Sequence, residues 1–238
     1  MTERRAMHAK DAYDEWHRCH DTGNGPWYSM VSAFIDARGL VQGKRVLEAG
    51  CGSGDYAREL GARGARSVIG EDFSPVAIAQ ANDRPNADNV SFAVGDIQQI
   101  AHQTASFDLV ISCETIEHVP NPRLAIAELA RVLTPGGWLV LTSPNYLSIF
   151  GLHRAYRQLA GRGWDEGGQP IANWTMLPRS VKWVNDARLR IEALDGVLFV
   201  VPVRGRPGGL QLNPSPRVHR WVRFFAQHVM IAARKPSV

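Results

Sequence analysis

The stretch Leu47-Glu48-Ala49-Gly50-Cys51-Gly52-Ser53-Gly54 sets three glycines at alternate positions. Glycine tolerates positive φ and carries no Cβ, so this backbone can turn tightly and approach a ligand closely. A helix starting just behind such a turn aims its free N–H groups at the same place. The pattern suits cradling of a small ligand, against the plain alternative of a glycine-rich turn that holds nothing. A nicotinamide dinucleotide fingerprint needs its third glycine one residue further on. Asp55 stands there, and its carboxylate repels a pyrophosphate. A second group of candidates lies near the N-terminus. Tyr13, Trp16, His17 and His20 are separated by helical spacings of three and four, which places them on one face. That face, followed by Pro26-Trp27-Tyr28, suits closure over a bound molecule; an amphipathic helix packed on the core explains it equally well.

Apolar periodicity supplies the frame that must hold these residues. Strand-like runs at 45–49, 67–70, 90–94, 107–112 and 138–142 alternate with helix-like runs at 55–62, 74–81 and 123–133. Ser74-Pro75 gives an N-cap with proline at the first helical position. Pro135-Gly136-Gly137 reads as the break between the last helix and the last strand of this series. Such alternation predicts a parallel sheet wrapped by helices on both faces. The final third reads as helices at 146–159 and 180–186, a glycine-rich stretch at 161–170 and strand-like stretches over 189–203. A loop at 204–216, a basic amphipathic helix at 217–225 and a closing strand at 228–233 complete it.

The E-x-G-C-G-S-G string (Glu48, Gly50, Cys51, Gly52, Gly54) resembles motif one of the class I S-adenosylmethionine-dependent methyltransferases. Leu133-Thr134-Pro135-Gly136-Gly137 resembles the L-x-P-G-G pattern before their fifth strand. The resemblance runs over 44–142, with a weaker match in the closing strand. It implies a Rossmann-like α/β fold with a seven-stranded, mostly parallel sheet, helices on both faces and an antiparallel last strand. One domain over 1–238 is expected: a helical cap at 1–42, a cofactor-binding core at 43–143, and lid, insertions and closing strands at 144–238. The implied cofactor is S-adenosyl-L-methionine, leaving as S-adenosyl-L-homocysteine. In the family an acidic residue ending the second strand takes both ribose hydroxyls. Asp72 matches, beside Phe73 and 22 residues past Gly50, near the spacing of about 20 usual for a ribose carboxylate. Glu71 is the neighbouring alternative. Asp96 and Ile97 match the residues that meet the adenine, with Asp96 as a turn former the alternative. Cys113 falls beside the sulfonium, and Tyr13 and Tyr28 come to the cofactor from the cap.

Glu114-Thr115-Ile116-Glu117-His118-Val119-Pro120-Asn121-Pro122 resembles the ExxEHVxxP segment of the ubiquinone-pathway O-methyltransferases. In those enzymes the matching glutamates and histidine are tied to a divalent metal. Carried over, Glu114, Glu117 and His118 would be its ligands, a donor set that suits a hard ion. The alternative, that Glu117 and His118 are structural or orient the substrate, needs no metal. Methyl transfer asks chiefly for alignment. A base is needed only where the accepting atom keeps its proton, and His118 is the candidate, with Glu114 beside it. His17, His20, His153 and Tyr156 are the substrate-side candidates, in a cap and lid that also carry Phe150, Trp164 and Trp174. The implied reaction is in-line methyl transfer to a small-molecule acceptor, an oxygen nucleophile first, in secondary metabolism or cofactor synthesis. A nucleic-acid methyltransferase is the second reading. It fits less well, because the [DNS]-P-P-[YFW] segment of base-amine enzymes is here Cys113-Glu114-Thr115-Ile116. A non-catalytic S-adenosylmethionine-binding protein is the third.

Composition narrows the setting. The chain of 238 residues is 45% apolar and 21% charged, which is enough to bury a sizeable core. It lacks any apolar run near the 18 to 20 residues that a membrane span needs. The mixed-charge N-terminus is unlike a secretory signal. Three scattered cysteines give neither a disulfide framework nor a CxxC zinc site, so the expected compartment is reducing and cytoplasmic. The net charge of +4 is polarised, with 11 Lys/Arg against 17 Asp/Glu in residues 1–119 and 16 against 6 in residues 120–238. That predicts an anionic acceptor near the C-terminal elements, or simply a solvated basic face, without a nucleic-acid partner. The basic helix at 217–225 suggests lipid contact, or a cap on the sheet edge.

Overall fold

A computed structural model describes residues 3–20, 25–163, 169–203, 206–212, 218 and 221–237. Five strands are laid down in order: β1 (Arg45–Ala49), β2 (Ser67–Asp72), β3 (Val90–Val94), β4 (Phe107–Cys113) and β5 (Leu133–Pro144). Their apolar runs are nearly continuous, as strands covered on both faces require. Successive residues therefore enter opposite layers. Leu47 and Val110 pack into the layer that holds Ile126 and Leu129 of α5 (Pro122–Val132) and Val184 of α7 (Leu177–Asp186). Val46, Leu109 and Ile111 pack into the other, with Val31 and Ile35 of α2 (Tyr28–Asp36) and Leu60 of α3 (Asp55–Ala62). Each such fully buried side chain stabilises the fold by about 1.5–3 kcal/mol.

Among the described residues the main sheet has seven strands in the order β3-β2-β1-β4-β5-β9-β6, where β6 is Arg190–Val197 and β9 is His228–Arg234. β3, β2, β1, β4 and β5 are mutually parallel, and β9 runs antiparallel to both its neighbours. The expected α/β architecture with an antiparallel last strand is therefore the one observed. The winding direction reverses between β1 and β4, which leaves a crevice beyond their carboxyl ends. The N-terminal helix α1 (Glu3–Cys19) is tied to α4 (Pro75–Asn82) at that end. Ser74 Oγ donates to Asp14 at 2.5 Å, and the Gln80 side chain donates to the His17 carbonyl at 3.0 Å. Ser74 also caps α4 by accepting from Ala77 N–H, with Pro75 next to it, as the sequence predicts. Asn121 and Pro122 repeat the device at α5.

Several expectations are corrected beyond β5. Pro135-Gly136-Gly137 does not separate helix from strand. β5 already starts at Leu133, which pairs with Phe107 before a register shift, and Gly136 takes φ +78°. The helix expected from 146 starts at Ile149, because Ser148 N–H bonds back to the Asn145 carbonyl in a turn. Within the loop expected at 204–216, Arg206–Leu212 forms β8, paired antiparallel with β7 (Phe199–Val203). Cross-strand pairing there overrides the weak strand propensity of Pro207-Gly208-Gly209. The basic helix expected at 217–225 ends in a 3₁₀ turn, Arg223–Phe225. Arg217, His219, Arg220 and the lid residue Trp164 lie outside the described residues.

Asn145 joins these later elements to the sheet. It is fully buried, and its side chain donates to the carbonyls of Phe224 (2.7 Å) and Ala226 (3.1 Å). It accepts from the N–H groups of Leu147 (3.3 Å) and Leu177 (3.1 Å). Asn145→Ala is expected to destabilise the protein by about 3 kcal/mol in urea unfolding, since buried backbone groups lose partners worth ~1–3 kcal/mol each. A loss below about 1 kcal/mol would show that these loops are held by other contacts.

Candidate active site

The crevice holds a cavity of about 430 Å³, walled by the ends of β1, β2 and β4, by α1 and by residues 169 and 171. The glycine loop forms its floor. Gly50 N–H and Cys51 N–H both donate to the Glu71 carbonyl, at 2.7 and 3.0 Å, which fastens the loop to β2. Gly50 has φ +82°, and a Cβ there would collide with the Thr115 side chain. Gly54, with φ +79°, caps α3 and would collide with Phe92; it supports the loop and does not line the cavity.

Asp72 and Glu71 both reach the cavity wall, but they are held differently. Asp72 Oδ2 accepts from Gly52 N–H and Oδ1 from Ser74 N–H, each at 2.9 Å, so this carboxylate bridges the glycine loop and α4. Glu71 is buried and pairs with His102 at 2.9 Å. His17 Nε2 stands 3.9 Å from Asp72 Oδ1. Burial lowers the His17 pKa, and its Nδ1 has no hydrogen-bond partner among the described residues. His17 thus sits at the Asp72 end of the cavity. Phe73, Asp96 and Ile97 line the same end, and Asp96 Oδ1 accepts from Gln98 N–H at 2.8 Å, so it is a turn former as well.

Cys113, Glu114, Thr115 and His118 line the other end. Burial pushes the thiols of Cys51 and Cys113 well above the ordinary range, which keeps both neutral. His118 belongs to a 3₁₀ turn, Ile116–His118. Its Nδ1 lies 2.7 Å from the Ile171 carbonyl, which can only accept, so Nδ1 carries a proton. Nε2 lies 3.6 Å from Glu117 Oε1. Asn173 holds the opposing segment in place, with its N–H on the Glu117 carbonyl and its side chain on the Val119 carbonyl. Tyr13 reaches over from α1 and donates to the His118 carbonyl at 3.0 Å.

Glu114 has an unusual backbone for a non-glycine residue, with φ +49°. Its Oε2 lies 2.7 Å from Nδ1 of His228, the first residue of β9. Among the described residues, no group of three or more His, Cys, Asp or Glu is arranged to hold a metal. Glu114 stands outside the 3₁₀ turn and is drawn to His228, so it does not converge with Glu117 and His118. The donor set does not fit a metal ion.

Other candidates sit off the cavity wall. Tyr28 turns its hydroxyl to Glu59. His20 is exposed and stacked on Trp16. His153 and Tyr156 are on the exposed side of α6 (Ile149–Leu159). Helical spacing alone does not fix which way such a face points. Trp27, Tyr56, Gln169, Ile171 and His228 belong to the site or its support without having been assigned to it. Trp27 carries a sequence signal in Pro26-Trp27-Tyr28. Ile171 acts through its carbonyl, which no side-chain pattern reveals.

Among the described residues, six carboxyl side chains line the cavity (Glu48, Asp55, Glu71, Asp72, Asp96, Glu114), and no Lys or Arg does.

The model of a methyltransferase domain matches residues 47–141. The ubiquinone biosynthesis O-methyltransferase of Xanthomonas oryzae pv. oryzae (strain PXO99A) is 31% identical over 170 residues, covering 70% of this chain and 71% of that one. The protein of the same description from Hahella chejuensis (strain KCTC 2396) is 38% identical over 115 residues, covering 47% and 48%. Among solved structures, an S-adenosylmethionine-dependent methyltransferase from Mesorhizobium loti aligns with a TM-score of 0.65 at 16% identity, over 89% of this chain and 99% of that one. No helix of the described residues is long and apolar enough to cross a membrane.

Glu48 makes the unliganded site sensitive to pH. It is buried at the end of β1 and accepts from Ala57 N–H, while its Oε2 has no hydrogen-bond partner among the described residues. Burial, then the nearby Asp72 and Asp55, raises its pKa from 4.5 to about 8. The folded protein keeps a proton that the unfolded chain has released, so this stabilising contribution is full at low pH and is lost as pH rises toward 8. Without ligand, Glu48→Gln is expected to gain in Tm relative to the wild type as pH rises from about 5 to 8. A Tm difference independent of pH would rule out a proton on Glu48.

Proposed function

The chain belongs to the class I S-adenosylmethionine-dependent methyltransferases, and we propose that it methylates an oxygen of a small-molecule acceptor with His118 as the base. S-Adenosylmethionine is the cofactor and S-adenosylhomocysteine the product. The cavity suits it: the glycine cradle shares its wall with Glu48, Glu114 and His17, whose buried Oε2, Oε1 and Nδ1 lack partners among the described residues. When bound, the cofactor supplies an electrophilic methyl group on a cationic sulfur. Asp72 accepts the ribose hydroxyls. Its two oxygens each take one backbone N–H, and a carboxylate has room for about four such bonds. Asp96 and Ile97 receive the adenine, with Phe73 beside them. Glu48, Gly50, Cys51 and Gly52 face the amino-acid part, and Cys113 and Tyr13 flank the methyl end. In this reading the chain is one methyltransferase domain, with the cap at 1–42, the cofactor core at 43–143 and the acceptor-side elements at 144–238.

The observation that carries the choice of base is the bond from His118 Nδ1 to the Ile171 carbonyl. It orients the ring and leaves Nε2 able to take a hydroxyl proton, which makes the acceptor oxygen a better nucleophile. The choice of oxygen also draws support from the relatives described as O-methyltransferases. Release of S-adenosylhomocysteine in a screen of phenols, sugars and carboxylates identifies the acceptor. With it, His118→Ala is expected to lower turnover by about 10²–10⁴-fold while cofactor affinity stays within about threefold. Unchanged turnover would remove His118 from the chemistry. Asp72→Ala is expected to weaken S-adenosylmethionine binding by about tenfold, measured by calorimetry. An unaltered Kd would point to a different ribose carboxylate.

A further inference from the structure

One pair at the methyl end has no part in this scheme. His228 opens β9, outside the segment matched by the methyltransferase model, and its Nδ1 lies 2.7 Å from Glu114 Oε2. The pairing crosses two strands. Glu114 follows β4, His228 faces Pro144 across the β5–β9 register, and Glu114 N–H is held by both the carbonyl and the hydroxyl of Thr142 in β5. Together these contacts hold Glu114 at φ +49°, a conformation that persists in a non-glycine residue only where the surroundings impose it. The second carboxylate oxygen, Oε1, is buried without a hydrogen-bond partner among the described residues. A carboxylate oxygen buried without a partner is costly unless a donor or a positive charge comes to it. Among the described residues, no Lys or Arg lines the cavity to supply that charge.

We infer that Glu114, positioned by His228, reads the positive charge on the cofactor sulfur. This rests on the cofactor orientation proposed above, with the ribose at Asp72 and the methyl end at Cys113, Glu114 and His118. Glu114 then favours the charged cofactor over its neutral-sulfur product. His228 is a positioning residue: it touches neither ligand and acts by fixing the carboxylate.

S-Adenosylmethionine and S-adenosylhomocysteine separate this role from a merely structural one, because they differ by one methyl group and one positive charge. Calorimetric Kd values for both are to be measured on the full chain. Glu114→Gln is expected to weaken S-adenosylmethionine about tenfold and S-adenosylhomocysteine less than about twofold. His228→Leu is expected to give the same selective loss. His228→Asn, whose amide N–H replaces the Nδ1 donor, is expected to stay within about threefold of wild type for both ligands. Equal weakening of the two ligands by Glu114→Gln, or no weakening of either, overturns the inference. If Glu114→Gln does not fold, the two His228 variants decide by the same comparison. Asp72→Ala tests the orientation separately and is expected to weaken both ligands alike. Failure of that result counts against the orientation, whereas lost selectivity at Glu114 and His228 counts against the charge reading alone.

Discussion

At the end of β1 the chain must leave the sheet, clear the end of β4 and begin α3 within five residues, and Gly50 to Gly54 is where it does so. Thr115 occupies the space that a Cβ at residue 50 would need, so the turn exists only with glycine there. Two anchors then fix it. The Glu71 carbonyl takes two N–H groups of the loop, and the Asp72 carboxylate takes a third while holding the start of α4. Both come from the last two residues of β2, whose register on β1 is set by Val46 facing Val68 and Leu47 facing Ile69. Core packing in the two layers therefore decides where the Asp72 carboxylate stands, through one strand pairing and three short hydrogen bonds.

The parts legible in the sequence are those that local chemistry specifies. Arg45–Ala49, Asp55–Ala62 and Val90–Val94 have the boundaries that apolar runs and turn residues indicate, because each is bounded by glycine or polar residues. The helix caps Ser74-Pro75 and Asn121-Pro122 are local as well, although only the first is read as a cap from the sequence. Beyond β5 the deciding forces are distant. Pro207-Gly208-Gly209 joins a strand because β7 pairs with it, and Tyr146 to Ser148 leave the helix because Asn145 takes their backbone into a turn. The site divides the same way. Glycine loop, Asp72 and His118 stand in strings that carry their meaning in sequence, whereas Ile171 and His228 contribute through a backbone carbonyl and a cross-strand pairing.

Charge shows a similar separation of local from global. The net +4 hides a cavity walled, among the described residues, by six carboxyl groups, of which Asp55 pairs from behind with Arg58 and Arg84. Arg154 is buried between the rings of Tyr146 and Trp174 and donates to the Ala172 carbonyl, next to the residue that orients His118. Arg131 likewise serves the Glu128 carboxylate and the carbonyls of Ile100 and His102. These guanidinium groups satisfy buried or loop carbonyls instead of facing a ligand.

The insertion of β9 between β5 and β6 has a consequence for synthesis. β1 to β5 can find their parallel neighbours as they leave the ribosome, since each partner has already been made. β6 cannot, because the strand that must separate it from β5 begins about thirty residues later. Asn145 waits longer for the carbonyls of Phe224 and Ala226, 79 and 81 residues on, and Glu114 waits 114 residues for His228. The glycine loop is thus assembled early and the Glu114–His228 pair last, so a chain stalled before residue 228 would have its loop in place but Glu114 without that partner.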